Sequence, residues 1–436
     1  MKNKSIPSRR TFLKNSLWVA GGISLVPRKV LGKGFIAPSD RMNIGVIGAG
    51  TQARGLSSIF VGLKDTQVIA ASDVNTQKMS TFIESYITAT AKNNDPKTAK
   101  DLAQYNDYQD LLARSDIDAV VIGTPDHWHA KTSIDAMVAG KHVYCEKPLS
   151  HTIIEGRAMV NAAREHNKIL QTGSHQRSIE EFRKACELIR NGYLGKIKKV
   201  SVSVGNPYSA CKLPYQPTPD YIDWDRWVGP AAMRPFHSTL VDADFFPRWR
   251  WFKEFGGGII ADWGAHMFDI VQWALGTDDT GPVEFTPPRE PNAVRGLSMV
   301  YADGVEVVHE DFCRGNAVRF EGEKGILSVS REFLDSDPAN IVSATIGKNE
   351  THLYKSSHHQ QDWIDAIKNN SLPVCDVEIG HRSASICHIA NIAYELNRPL
   401  KWNPQQEAFV GDDEANLMRT KLYRSPYGIP QLKALI

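Results

Sequence analysis

The stretch Asn43-Ile-Gly-Val-Ile-Gly-Ala-Gly-Thr-Gln-Ala53, read together with Asp73, decides the fold of this chain. The apolar run Ile44–Ile47 reads as a buried strand, and Gly48 and Gly50 turn it tightly into a helix that opens with Thr51, Gln52 and Ala53. Such a turn lets backbone N–H groups approach a pyrophosphate at the positive end of the helix. Ala53 stands at the third glycine position, which the dinucleotide fingerprint accommodates. The second strand ends in Asp73, twenty residues after Ala53. A carboxylate there accepts hydrogen bonds from an adenosine ribose and repels a 2′-phosphate, so NAD is the expected cofactor, with NADP left open. A glycine-rich turn alone is weak; strand, helix and acid at these distances make it specific.

Outward from this unit, short β-rich runs alternate with helical patterns. Strands are predicted at Met42–Ile47, Gln67–Ser72, Ala119–Gly123, His142–Cys145 and Lys168–Gln171, and helices at Thr76–Ala89 and Trp128–Ala139. The alternation predicts an α/β fold, a doubly wound parallel Rossmann sheet over residues 41–172. After Thr172 the texture changes, and residues 173–436 are expected to form a substrate-binding and oligomerisation domain. Helices are predicted at Ile179–Arg190, Ile259–Leu275, Gln360–Asn369 and Ile379–Leu396. Strands are predicted at Lys198–Val204, Gly296–Tyr301, Val305–Phe312, Ala317–Glu321 and Ile326–Val329. The Pro- and aromatic-rich stretch Pro207–Arg250 is too long for a plain connection and is expected to shape a binding site. The whole is an α+β domain with an open, predominantly antiparallel sheet, whose free face suits pairing in a homodimer or homotetramer.

A chain of 436 residues exceeds one ordinary core. Its formal net charge of +2 makes no case for nucleic acid or an anionic membrane as main partner. The six cysteines (Cys145, Cys186, Cys211, Cys313, Cys375, Cys387) lack metal or redox spacing and are expected to be buried thiols. Ser8-Arg-Arg-Thr-Phe-Leu-Lys14 carries the twin-arginine pattern, followed by an apolar run, Ser16 to Pro27, too short to span a bilayer. Residues 1–33 are therefore read as an export signal and linker, with cleavage around Val30 to Gly34 and the periplasm as destination. No stable membrane anchor is expected, since no cysteine precedes Cys145. Export of a folded protein requires any nucleotide cofactor to be bound beforehand.

Three motifs could carry chemistry. Cys145-Glu-Lys-Pro148 follows a strand at the carboxyl edge of the sheet, where Lys147 points toward the nicotinamide. Asp262-Trp-Gly-Ala-His266 has i, i+4 spacing, which puts a carboxylate and an imidazole on one helical face, an arrangement that suits a general base. Thr124-Pro-Asp-His-Trp-His129 lies at the same sheet edge. Its alternating histidines lack a third metal ligand, so no metal is expected, and His127, Trp128 and His129 are read as stacking on or bonding to the nicotinamide ribose of the cofactor or the substrate. Thr124, Pro125, Glu146 and Lys147 are further expected cofactor contacts. Gln176, Arg177, Trp249 and Arg250 are candidate substrate contacts, and His381-Arg382 either reaches the cleft or forms a surface pair.

Gly48-Ala-Gly50, Thr124-Pro125, Glu146-Lys-Pro148 and Gly257-Gly with Asp262 and His266 together resemble the Gfo/Idh/MocA oxidoreductases, from about Asn43 to Arg424. The resemblance implies that Lys147, Asp262 and His266 surround a sugar or cyclitol hydroxyl. In that scheme His266 takes the hydroxyl proton, Asp262 orients the imidazole or the substrate, and Lys147 bonds the reacting oxygen. An exported NAD-dependent oxidoreductase with tightly held cofactor is the first expectation. The alternatives are a glycosidase that uses NAD transiently through a 3-keto intermediate, whose usual His-Gly-Leu-Gly element is absent here, and a non-catalytic sugar or nucleotide sensor.

Overall fold

The computed structural model describes residues 41–435 apart from 242–247, 291 and 313. The export-signal reading and Cys313 thus lie outside the described residues. Residues 42–436 form one compact unit.

The first sheet contains β1 (Met42–Ile47), β2 (Thr66–Ser72), β3 (Ala103–Tyr105), β4 (Ala119–Ile122), β5 (His142–Cys145) and β6 (Leu170–Thr172). Their order is β3-β2-β1-β4-β5-β6, and every neighbouring pair is parallel. This is the doubly wound Rossmann order, which reverses between β1 and β4 and opens a crevice beyond their carboxyl ends. Ala-Val-Val-Ile of β4 is buried throughout, as a central strand covered on both faces must be. Helices α1 (Thr51–Gly62), α2 (Thr76–Lys92), α3 (Asp126–Val138) and α4 (Ile153–Glu165) complete the crossovers.

The second sheet has nine strands in the order β13-β12-β11-β7-β10-β9-β8-β14-β15. They are β7 (Ile197–Ser203), β8 (Glu284–Thr286), β9 (Leu297–Val300), β10 (Glu306–His309), β11 (Ala317–Gly322), β12 (Ile326–Val329), β13 (Leu334–Asp337), β14 (Leu400–Asn403) and β15 (Ala408–Phe409). β7 and β10 run parallel and the other pairs antiparallel, so the sheet is mixed but mostly antiparallel, in an α/β chain. Helices α5 (Glu180–Arg190), α6 (Gly258–Asp262), α7 (Gly264–Leu275), α8 (His359–Asn369) and α9 (Val377–Leu396) follow the chain. Phe182 of α5, Met267 and Ile270 of α7 and Ile389 of α9 share one core with Val200, Val202 and Phe320 of the sheet. The alternate positions of β7 are polar: Lys199 and Ser201 both donate to Glu310, at 2.6 and 2.5 Å.

The helix predicted over Ile259–Leu275 is two helices, α6 and α7, with Trp263 between them. Every residue of α7 except Leu275 is buried, so this helix is surrounded by protein and holds its polar side chains inside the molecule. Among the described residues no helix is long and apolar enough to cross a membrane.

Candidate active site

The turn after β1 meets the turn after β4. Gly48 has φ +92°, and a Cβ there would lie 2.9 Å from the Gly123 carbonyl carbon and oxygen. Only glycine permits both the backbone angle and that approach. Gly50 caps α1 without any side-chain bond, and a Cβ there would meet nothing within 4 Å. By contrast α2 and α4 are capped by Asn75 and Thr152. An open helix N-terminus with clear space above it fits a pyrophosphate. Thr124 Oγ1, beside this turn, is buried without a hydrogen-bond partner. Asp73 accepts the Ala49 N–H at 2.6 Å and the Asn75 N–H at 2.8 Å, one on each carboxylate oxygen. Burial raises its pKa, and Lys78 and the backbone N–H groups oppose that rise. Its remaining lone pairs are available to ribose hydroxyls. Gln52 Nε2 donates to Glu146 Oε1 at 2.9 Å, which ties α1 to the loop after β5.

Lys147 projects from that loop. Its ammonium donates to the Asp262 carboxylate at 2.8 Å and to the Asp262 carbonyl at 2.9 Å. An ammonium has three N–H donors, and the third has no partner among the described residues. Arg250 Nε donates to the same Asp262 oxygen at 3.1 Å. Burial alone would raise the Asp262 pKa, but Lys147 and Arg250 together hold it below its ordinary value. Asp262 therefore anchors Lys147; its carboxylate makes no bond to His266, and the expectation that it orients the imidazole is corrected. The interrupted helix explains this, because Asp262 ends α6 while His266 sits in the first turn of α7. His266 instead receives a hydrogen bond at Nε2 from Arg331 at 3.1 Å. Arginine can only donate, so the neutral imidazole carries its proton on Nδ1, which is buried with no partner. Burial, then Lys147, His175 and Arg331, push the His266 pKa well below its ordinary value.

Several expected contacts lie elsewhere. His127 is fully buried, with Nδ1 3.2 Å from the Phe255 carbonyl and Nε2 3.0 Å from that of Trp227. His129 is likewise placed between the carbonyls of Pro148 (2.8 Å) and Thr124 (3.0 Å). Burial lowers their pKa values to about 3 and about 4, so both rings are neutral and bonded inward. Trp128 donates its indole N–H to the Trp227 carbonyl at 2.9 Å. His127 and Trp128 join α3 to the segment around Trp227 and Phe255, and His129 joins it to the Pro148 and Thr124 carbonyls, instead of facing a cofactor. Arg177, expected at the substrate, is enclosed by Asp269 and Asp278, with bonds of 2.6–3.0 Å from Nε and both terminal nitrogens. Gln176 is fully buried, its amide against Met267 Sδ at 4.0 Å. Trp249 packs into a core with Trp227 and Phe255, and the Arg250 guanidinium covers its ring at 4.3 Å, so no open face is left for a pyranose. Arg250 itself stays at the site through Asp262. His381 is buried against Glu407 at 2.8 Å, and Arg382 pairs with Glu378, so neither reaches the cleft. The five cysteines among the described residues are free and buried.

Comparison with known proteins places the chain. The model of the oxidoreductase family's NAD-binding Rossmann fold matches residues 42–174, and that of its C-terminal alpha/beta domain matches residues 179–429. This chain belongs to the Gfo/Idh/MocA oxidoreductase family. A glycosyl hydrolase family 109 protein from Shewanella sp. (strain ANA-3) is 31% identical over 207 residues, 43% of this chain and 44% of that protein. The match thus spans less than half the length of this curated relative. Among solved structures, the WlbA dehydrogenase of Bordetella pertussis in complex with NADH and UDP-GlcNAcA superposes with a TM-score of 0.58 at 18% identity, covering 83% of this chain and 99% of that one. The aldose-aldose oxidoreductase of Caulobacter crescentus gives 0.56 at 17% identity, with coverage of 83% and 99%.

In this family member three site residues escape the sequence reading. Arg331 reaches the site from the turn after β12. His175 sets its ring edge-to-face on His266, with centroids 5.3 Å apart. Asp126, buried at the start of α3, has its pKa pushed up to about 8 by burial, with Arg250 opposing and Asp262 adding to the rise. Only Asp126 carried a local signal, as an acid two residues before the helix predicted at the sheet edge; the other two are brought in by tertiary contacts.

Proposed function

We propose that this protein oxidises a hydroxyl-bearing carbon of a sugar, glycoside or cyclitol, with hydride transfer to NAD. The observation that carries the reading is the ammonium of Lys147, held by two oxygens of Asp262 with its third N–H uncommitted, beside an imidazole kept neutral by burial. Bound NAD supplies the hydride acceptor. The free donor of Lys147 bonds the reacting oxygen and stabilises the charge that develops there as the C–H bond breaks. His266 accepts the hydroxyl proton through Nε2, which requires the substrate hydroxyl to take the place of Arg331. Asp262 keeps the Lys147 ammonium aimed. Burial of Asp262 and His266, at 4% and 2% exposure, excludes water from these contacts. Sugar-linked dehydrogenases among the structural neighbours support the substrate class. The test is absorbance at the NADH band when the NAD-loaded protein meets a panel of glycosides and inositols. Lys147→Met and His266→Asn should each slow turnover about 100-fold or more; variants that keep the wild-type rate would sink the assignment.

The curated relatives favour a second reading, a glycosidase in which oxidation at C3 acidifies the C2–H bond, elimination follows and the hydride returns. Release of free sugar and aglycone without net NADH would select it. The proposal includes export through the twin-arginine route, supported by Arg9 and Arg10, and assembly as a dimer or tetramer. Fractionation of an Arg9→Lys, Arg10→Lys variant and light scattering test these two points.

A further inference from the structure

One cation at the site is in no ion pair among the described residues. Lys147 and Arg250 share Asp262. Arg331 shares nothing comparable. It stands in the turn between β12 and β13, exposed as a residue, while its guanidinium head lies over the Trp263 ring at 4.6 Å and donates to His266 Nε2 at 3.1 Å. Among the described residues it forms no ion pair. The acids that act on it from longer range are Asp262 and Glu146. Asp262 is already bonded to two cations, and Glu146 to Gln52 and its own loop. A guanidinium has five donors in a planar fork, and a neutral imidazole uses one of them.

We infer that Arg331 is a specificity-determining residue that binds a carboxylate carried on the sugar ring, so that the preferred substrate is an acidic sugar of the uronate type. This rests on the oxidoreductase reading of the same site. A carboxylate matches the planar fork with two parallel bonds. It also draws Arg331 away from Nε2, the one lone pair His266 needs for the hydroxyl proton. With the guanidinium neutralised, one of the cations that depress His266 basicity is cancelled. Recognition and activation of the base are then one event.

The experiment compares matched pairs on the NAD-loaded protein: methyl glucoside with methyl glucuronide, methyl galactoside with methyl galacturonide, and glucose 6-phosphate with both sets. The expected result is kcat/KM about tenfold or more higher for the acid of a pair, a ratio that falls toward one in Arg331→Met and is partly retained in Arg331→Lys. A residue that only supports the fold would lower both members and leave the ratio unchanged. Equal or better turnover of the neutral members, a preference for the phosphate, or an unchanged ratio in Arg331→Met overturns the inference. Absence of turnover with every compound counts against the oxidoreductase reading. Titration calorimetry of the glucuronide then still decides the anion claim: affinity about tenfold weaker in Arg331→Met upholds it, and equal affinity overturns it.

Discussion

Replacing Arg177 by methionine separates a structural role from a substrate role. Arg177 and Asp269 have side-chain exposures of 2% and 1%, while Asp278 is 36% exposed. Removing one partner of a buried pair costs about 3–5 kcal/mol, because the other charge is left without compensation. The bridge to Asp278 adds at most about 1 kcal/mol, since solvent screens it. Methionine keeps the apolar stem of Arg177 but gives up the guanidinium's place 5.2 Å from the centre of the Trp273 ring, worth about 1 kcal/mol, so most of the loss is assigned to Asp269. The stranded carboxyl keeps its bond from Ser383 and takes up a proton more readily. In the wild type burial already raises its pKa, with Arg177 opposing. Without the guanidinium the folded-state pKa rises further. A raised folded-state pKa gives stability that is present at low pH and lost as pH rises through it, so the deficit is larger at pH 8 than at pH 5. Urea unfolding followed by tryptophan fluorescence at both pH values measures the deficit, and steady-state kinetics measures KM. Unchanged stability with KM raised tenfold would refute the argument and return Arg177 to the substrate.

Gly48→Ala should weaken NAD binding severalfold or prevent folding, since it places a Cβ against Gly123 at a positive φ, at about 1–2 kcal/mol of backbone strain alone; an unchanged Kd by fluorescence titration would contradict the turn geometry. Asp126, with its pKa at about 8, is protonated in the folded protein at neutral pH and ionised in the unfolded chain, so wild-type stability should fall relative to Asp126→Asn by up to about 1.4 kcal/mol per unit between pH 5 and pH 8. Parallel stability curves would show that Asp126 is not held as the acid. His127→Phe should lower stability by about 1 kcal/mol, the net worth of the one hydrogen bond a neutral imidazole can donate there, with KM for NAD unaltered; a raised KM at full stability would put the ring back at the cofactor.

The Rossmann half is legible because its central strands are continuous apolar runs and its turn chemistry is local: β1 and β5 have the predicted bounds. β3 is a three-residue edge strand, Ala-Gln-Tyr, partly exposed and without a period to detect. The second sheet announces its longer strands, but β14 and β15 are short pieces, β14 pairing with β8 and β15 with β14. At the site, Lys147, Asp262 and His266 are visible as motifs. Their connections are not, because partners such as Arg331 stand 65 residues from His266 in sequence. The i, i+4 spacing of Asp262 and His266 suggested a bonded pair, yet two cations from other segments outcompete a neutral imidazole for the carboxylate. Histidines at a sheet edge suggested ligand contacts, but carbonyls of the segment around Trp227 and Phe255 claim the His127 ring, and those of Pro148 and Thr124 claim the His129 ring.

Asp73 fastens Ala49 of one strand–helix turn to Asn75 of the next, through separate oxygens. A redesign for NADP has to discard this acid, since it repels the extra phosphate. Discarding it also unfastens the loop on which both nucleotides rest. Serine offers one oxygen where two are needed, and an added arginine supplies charge without restoring either bond. A cofactor swap at this position should therefore pass through variants that hold NAD and NADP equally poorly, until a second substitution re-anchors Ala49. Nucleotide choice in this chain is a property of the loop's stiffness as much as of the charge it displays.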